Sequence, residues 1–289
     1  MKPDMLADAV MPPDFERRFG GLARLYGAAG AQRIRQAHIV VVGLGGVGSW
    51  AAEAAARSGV ARLTLVDLDH IAESNINRQV HALDNTLGMA KVQAMRERIA
   101  HINPDCTVNC IEEFVDASNW PGVLGFAANF DWKTVAVIDA CDQVKAKTAM
   151  AAWAIKSKAR FISVGAAGGK RLAHKVDIED LSLVTHDPLL AQMRNRLRKE
   201  HGAARDKKKI GVVCVFSCET VMQSGAVGVA KHSETADVPQ PGDSPSDFSI
   251  ESQSDATLNC HGYGSVVTVT STFGLCAAGW VLGKIAESA

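Results

Sequence analysis

Apolar residues in this chain gather into short runs rather than into alternating stripes. Ile39–Val42, Arg62–Val66, Thr107–Ile111, Thr134–Ile138 and Phe161–Val164 are rich in β-branched residues and short enough to predict buried strands. Between them the spacing turns helical. An Ala-rich helix is expected from near Val47 to Gly59, a second from Lys91 to about Ile102, and a third from Val144 to Lys158. Strand and helix in alternation predict an α/β fold, a Rossmann-like, doubly wound and mainly parallel sheet. The second half breaks the alternation. His174–Ile178 and Ile210–Phe216 read as strands, and Asp187-Pro188 reads as a helix start with a cap and proline at the first position. Leu189, Leu190, Met193 and Leu197 then line one face of that helix, with Arg194 and Arg198 on another. Val266–Gly283 reads as a C-terminal strand-helix pair, its Thr, Ser and Gly content arguing against a membrane span.

Composition narrows the class. The chain has 289 residues, 47% of them hydrophobic, and zero formal net charge, so a sizeable core is expected and a charged tail is excluded. Its seven cysteines form no C-x-x-C pair, which suits a reducing, cytoplasmic setting and offers no four-thiolate zinc site. Met1–Arg18 has acids and prolines without an apolar core, unlike a secretory signal. The expected organisation is an N-terminal arm over 1–30, a nucleotide-binding domain over 31–185, and a region over 186–289 holding a basic and acidic insertion, partly disordered, before the last elements. Within the arm, Asp14–Gly30 is polar and carries Arg17, Arg18 and Arg24. It suits either a surface helix covering the sheet edge or an arm reaching a phosphate.

The chemistry concentrates after the first strand. Gly43, Gly45, Gly46 and Gly48 form a turn between strand and helix, where backbone N–H groups and a helix N-terminus favour a phosphate. The spacing alone suits NAD, FAD or ATP. Asp67-Leu68-Asp69 follows the second strand about 20 residues on, where a ribose hydroxyl is usually held. Asn75-Ile76-Asn77-Arg78-Gln79 and Lys91 separate the possibilities. Hydride transfer builds no charge on phosphate, whereas nucleotidyl transfer needs cations on the departing pyrophosphate. Either cation alone reads better as a helix-terminus surface charge. Asp139 and Asp142 end a buried strand, three residues apart, so one can face a Mg²⁺ while the other fixes the loop. Asp142 is also a candidate N-cap for the next helix.

Arg194 to Lys209 holds eight Lys/Arg against two acids, a concentrated footprint for a polyanion on a neutral protein. Arg194, Arg198, Lys207, Lys208 and Lys209 are the candidate nucleic-acid contacts, with a solvated helix face as the alternative. Glu234–Asp255 carries six acids and no base among prolines and serines, and is expected to be a mobile loop. Cys260 beside His261 is a candidate thiol, but adjacency in sequence does not pair them.

Gly43-Leu-Gly-Gly-Val-Gly48, Asp67-Leu-Asp69, Asn75-Ile-Asn-Arg78-Gln79, Lys91 and Asp139-x-x-Asp142 together resemble the adenylating fold of ubiquitin-activating-type enzymes. Within it, Arg18-Phe-Gly-Gly-Leu-Ala-Arg24, His101-Ile-Asn-Pro104, Gly211-Val-Val-Cys-Val-Phe-Ser217 and Thr270-Ser-Thr-Phe-Gly274 are similar to the tRNA threonylcarbamoyladenosine dehydratases. The resemblance implies adenylation of the side-chain carboxylate of threonylcarbamoyladenosine at tRNA position 37 by ATP with Mg²⁺, followed by ring closure. It assigns the glycine loop to the phosphates, Asp67 to the ribose, and Asn75, Arg78 and Lys91 to the α- and β-phosphates. Asp142 falls beside Mg²⁺. It also implies a homodimer in which Arg24, with Arg18 as the other candidate, crosses to the partner's triphosphate. A rival reading, adenylation of a sulfur-carrier protein, needs a transfer cysteine, for which Cys260 is the candidate. An NAD-dependent oxidoreductase leaves Lys91, Arg78 and Asp142 without a task.

Overall fold

The structure, a computed structural model, describes residues 14–127, 130–205, 208–221 and 263–288. Seven strands form one sheet: β1 (His38–Val42), β2 (Arg62–Val66), β3 (Thr107–Ile111), β4 (Val135–Asp139), β5 (Arg160–Val164), β6 (Val176–Asp180) and β7 (Val213–Ser217). Their order is β3-β2-β1-β4-β5-β7-β6, parallel throughout except for the antiparallel β6–β7 pair. The expected doubly wound, mainly parallel sheet is present. Chain direction away from β1 reverses between β1 and β4, which opens a crevice at their carboxyl ends.

Strand residues alternate between two cores, as the pleat requires. Ile39, Val41, Leu63, Leu65, Ala136 and Ile138 face one side, under α3 (Gly48–Arg57), α4 (Lys91–Ile102) and α7 (Val267–Ala286). Val40, Val42, Val135 and Val137 face the other, under α5 (Val144–Ser157) and α6 (Pro188–Glu200). Because both faces are covered there, the inner strands β1 and β4 are almost continuously apolar, while the edge strands β3 and β6 carry exposed polar residues. The N-terminal segment forms α1 (Phe15–Phe19) and α2 (Gly21–Gln36), the latter kinked at Gly27 and packed on α7.

One expectation fails. Val266–Gly283 is not a strand-helix pair, for α7 is a single 20-residue helix. Val269, Phe273, Ala277, Val281 and Ile285 recur every fourth residue and are buried. That stripe drives the segment into helix despite its β-branched start, each large apolar side chain contributing about 1.5–3 kcal/mol on burial. α7 is the one helix among the described residues long and apolar enough to cross a membrane, but it packs on α3, α2 and the sheet. Of the positions expected as boundaries, residue 30 falls inside α2, and residue 185 lies between β6 and β7, which pair in the same sheet.

α6 begins where the sequence placed it. Asp187 caps it by accepting from the Leu190 N–H at 2.9 Å, and Leu189, Leu190, Met193 and Leu197 are all buried. The other Asp187 oxygen accepts from the Ala166 N–H at 2.9 Å, which ties α6 to the loop after β5. Farther along that loop, the buried Lys170 ammonium donates to the carbonyls of His186, Ser217 and Glu219 at 3.0–3.1 Å. The Glu219 carboxylate accepts in turn from the Arg171 and Leu172 N–H groups, and the Gly169 N–H donates to the Gly264 carbonyl.

Candidate functional site

A cavity of about 380 Å³ lies at the carboxyl ends of β1 and β4, where the strand order reverses. Its walls come from the glycine turn after β1, Asp67–Asp69 after β2, the 75–79 segment, Ala140–Gln143 after β4, and Gly165–Gly168 after β5. Sequence reasoning anticipated the first four of these walls as chemistry.

Two glycines in the turn have structural reasons to be glycine. Gly43 sits at φ +86°, with the Ala140 carbonyl 2.9 Å from where a Cβ would stand. A Cβ on Gly48 would come within 1.8 Å of the Gly43 carbonyl oxygen. These contacts let α3 start directly under the crevice, with its N-terminus at the cavity. Gly45 and Gly46 line the cavity itself.

Asp67 is mostly buried and holds the turn in place. One oxygen accepts from the Leu44 N–H at 2.5 Å and the other from the Asp69 N–H at 2.8 Å. Burial pushes its carboxyl up from the usual range, opposed by nearby Lys91 and these two N–H donors. The buried Lys91 ammonium lies 2.6 Å from an Asp69 oxygen and 3.9 Å from an Asp67 oxygen. Arg78 donates to the Ser74 carbonyl at 2.6 Å and the Asn77 side chain at 2.9 Å, with its stem against Gly46. Asn75 is buried, and its side-chain oxygen accepts from the Ala72 N–H. Arg78, Lys91, Asp67, Asp69 and Asp142 thus all line one space, with Lys91 paired to the acids after β2.

The two acids that end β4 divide their work. Asp142 is exposed and lines the cavity. It does not cap α5, whose N-cap is Gln143. Asp139, expected among the nucleotide-binding residues, does not line the cavity. It is fully buried, 2.9 Å from the equally buried Lys147 ammonium, and accepts from the Ser163 hydroxyl at 2.6 Å. Burial works to lower the Lys147 pKa, but the neighbouring Asp139 charge outweighs it and the net shift is upward, so the ammonium stays charged. Lys147 also donates to the Cys141 carbonyl at 3.0 Å, so the pair fixes the loop that presents Asp142. Cys141 lines the cavity, yet burial and the Asp139 charge push its thiol well above its ordinary pKa, so it is no nucleophile near neutral pH. Sequence reasoning missed Lys147 and Lys170. Each is a lysine within an apolar or glycine-rich stretch, and that position was the available signal.

Among the described residues no cluster of three or more His, Cys, Asp or Glu forms a cage for a metal. A lone exposed carboxylate matches Mg²⁺ held mainly by phosphate oxygens and water. Arg24 is exposed and does not line this cavity, while Arg18 donates to the Ile102 carbonyl at 2.9 Å. In the basic run, Arg194 donates to the Leu181 and Val184 carbonyls and Arg198 to the Ala204 carbonyl. Lys208 and Lys209 are exposed. Lys207, the acidic stretch Glu234–Asp255, Cys260 and His261 lie outside the described residues.

The model of the ThiF family matches residues 18–197. The tRNA threonylcarbamoyladenosine dehydratase of Haemophilus influenzae is 39% identical over 274 residues, covering 94% of both chains. The enzyme of that name from Escherichia coli is 38% identical over 282 residues, covering 97% of each. A crystal structure of the Escherichia coli tRNA N6-threonylcarbamoyladenosine dehydratase in complex with ATP superposes with a TM-score of 0.76 at 36% identity, covering 96% of both chains. The same enzyme in complex with AMP superposes with a TM-score of 0.75 at 37% identity, covering 96% of this chain and 97% of that one.

Proposed function

The chain belongs to the ThiF family, and from that premise we propose that it is an ATP-dependent tRNA threonylcarbamoyladenosine dehydratase. The observation that carries the reading is the cavity at the carboxyl ends of β1 and β4, which Lys91, Arg78 and Asp142 line together with the glycine turn. Near-complete overlap with a dehydratase crystallised with ATP and AMP supports the nucleotide.

The side-chain carboxylate at tRNA position 37 attacks the α-phosphorus of ATP, the bond to the β-phosphate breaks, and pyrophosphate leaves. The carbamoyl group then attacks the acyl adenylate, and AMP departs as the ring closes with net loss of water. Both reacting groups belong to one side chain, so holding it in a closing conformation supplies much of the acceleration. The turn from Gly43 to Gly48 takes the phosphates and Asp67 the ribose, with Asp69 beside it. Asn75, Arg78 and Lys91 hold the negative charge that grows on the α- and β-phosphates. Lys91 exchanges its bond to Asp69 for one to phosphate as the nucleotide enters. Asp142 faces a Mg²⁺ that, when bound, neutralises phosphate charge. Asp139 acts behind it, through Lys147 and the loop.

Arg24 is exposed and does not line the nucleotide cavity of its own chain, which supports a homodimer in which it serves the partner's triphosphate. Arg18, engaged with Ile102, is the weaker candidate. The basic run through Arg194, Arg198, Lys207, Lys208 and Lys209 docks tRNA phosphates in the cytoplasm. Its exposed members Lys208 and Lys209 are better placed for this than Arg194, whose guanidinium is committed to two carbonyls. The test is incubation of purified protein with ATP, Mg²⁺ and tRNA bearing threonylcarbamoyladenosine. AMP release matched by loss of one water from the nucleoside is expected; ADP and orthophosphate instead would overturn the reading.

A further inference from the structure

The segment between Arg78 and Lys91 also lines a second cavity, of about 650 Å³, closed by α1, the end of α3 and the length of α4. It shares no lining residue with the nucleotide cavity. Three guanidinium groups converge on it, from Arg18, Arg57 and Arg98. Arg57 and Arg98 both grip the buried Glu53 carboxylate, at 2.8 Å and 2.7 Å through their Nε atoms. Arg57 uses only Nε for Glu53 and Arg18 only one terminal nitrogen for Ile102, so each keeps donors for a ligand. With Glu97 the only carboxylate in the lining and Glu53 beneath it, the guanidinium groups outnumber the acids.

The second observation is His81. It is 1% exposed, it lines this cavity, and neither ring nitrogen has a hydrogen-bond partner. A buried imidazole is ordinarily paired, because leaving a polar group without a partner costs about 1–3 kcal/mol. Burial, with the nearby charges of Lys91 and Arg98, holds the ring neutral, its pKa lowered to about 4. A neutral ring presents one N–H donor and one acceptor, and the donor needs an electron-rich oxygen. An apolar patch from Phe19, Leu83 and Ile102 completes the wall.

We propose that this cavity is a phosphate site, in which Arg18, Arg57 and Arg98 supply the charge and His81 a buried donor. The ligand is a phosphate group, either free orthophosphate or a phosphodiester of bound tRNA. Guanidinium groups match phosphate oxygens in pairs, and two of these are already oriented by Glu53. The site adjoins the segment that carries Arg78 and Lys91, so its occupant helps hold that segment in place.

Orthophosphate binding to the full-length protein, measured by calorimetry, tests this. The nucleotide cavity is first filled with α,β-methylene-ATP, so that phosphate cannot report on it. Wild type is compared with Arg57→Gln and His81→Leu. Arg57 has a 60% exposed side chain, and Glu53 keeps Arg98, so the first variant keeps its fold. His81 loses no hydrogen bond in the second. Saturable binding at one site per chain is expected, weakened by about tenfold or more in each variant, the scale of one charge-assisted bond. If the source is a tRNA phosphodiester, added tRNA displaces orthophosphate; if it is free phosphate, the two bind together. Absence of saturable binding with the analogue in place, or equal affinity in wild type and both variants, would overturn the site.

Discussion

The buried pair behind the cavity makes a quantitative prediction. Asp139 and Lys147 are both 0% exposed and 2.9 Å apart, so replacing one leaves the other charge stranded in the core. Lys147→Met removes the ammonium and its bond to the Cys141 carbonyl while keeping most of the side-chain volume. Stranding a buried charge in this way costs about 3–5 kcal/mol. At about 2–4 °C per kcal/mol for a large domain, the midpoint of thermal unfolding falls by about 6–20 °C. The double variant Asp139→Asn with Lys147→Met discards both charges, and the new amide oxygen still accepts from Ser163. It should return to within about 1 kcal/mol of wild type, the usual result when an ion pair is replaced rather than broken. Urea unfolding of wild type, both single variants and the double gives the coupling directly, and ATP affinity is measured alongside. Asp139→Asn that keeps wild-type stability but loses ATP binding would refute the argument, because the carboxylate would then face the nucleotide.

Asp142→Ala should fold normally, since the side chain is exposed, yet lose about hundredfold or more in turnover, the effect of one preorganised charge; wild-type turnover would exclude a role beside Mg²⁺. Cys260→Ser should keep cyclisation within about tenfold, or about 1.4 kcal/mol of barrier, and complete inactivation with ATP binding intact would move the chemistry to a thioester. Replacing Lys207, Lys208 and Lys209 by Ala should flatten the slope of log K for tRNA against log salt by roughly 0.7–0.9 per lost phosphate contact, with ATP affinity unchanged. An unaltered slope in filter-binding titrations would show that the run is only a solvated surface. His81 has a folded pKa of about 4 against 6.5 in the unfolded chain, so the unfolded state binds the extra proton between these values and acid destabilises. At pH 5 that is about 2 kcal/mol, so the stability of His81→Leu relative to wild type should rise by about 2 kcal/mol between pH 7 and pH 5 in urea unfolding; parallel pH profiles would refute it.

The first half of the fold was open to sequence reasoning because βα units repeat a short-range signal. β2, β3 and α4 end where the apolar runs end. The site was legible for the same reason, since glycine turns and strand-end acids sit at fixed offsets from strands. What was not legible depends on contacts distant in sequence. Asp139 and Asp142 are both acids after one strand, and only Lys147 and Ser163 decide that the first turns inward. The C-terminal segment starts with β-branched residues whose local preference is for strand. Its four-residue apolar stripe acquires meaning only against α3 and the sheet. Lys170 follows a glycine-rich loop in the sequence, yet it is buried against three carbonyls from two distant segments.

The hydrogen bonds around residues 169–172 have a mechanical consequence. Lys170, Arg171 and Leu172 fasten Glu219, and Gly169 fastens Gly264, so the chain leaves the described fold near Val221 and re-enters near Tyr263 on one four-residue strip. The ends of the intervening stretch are therefore fixed by the body of the protein, whatever lies between them. A substitution that loosens this strip would therefore release two attachments at once, Glu219 beyond β7 and Gly264 just before α7.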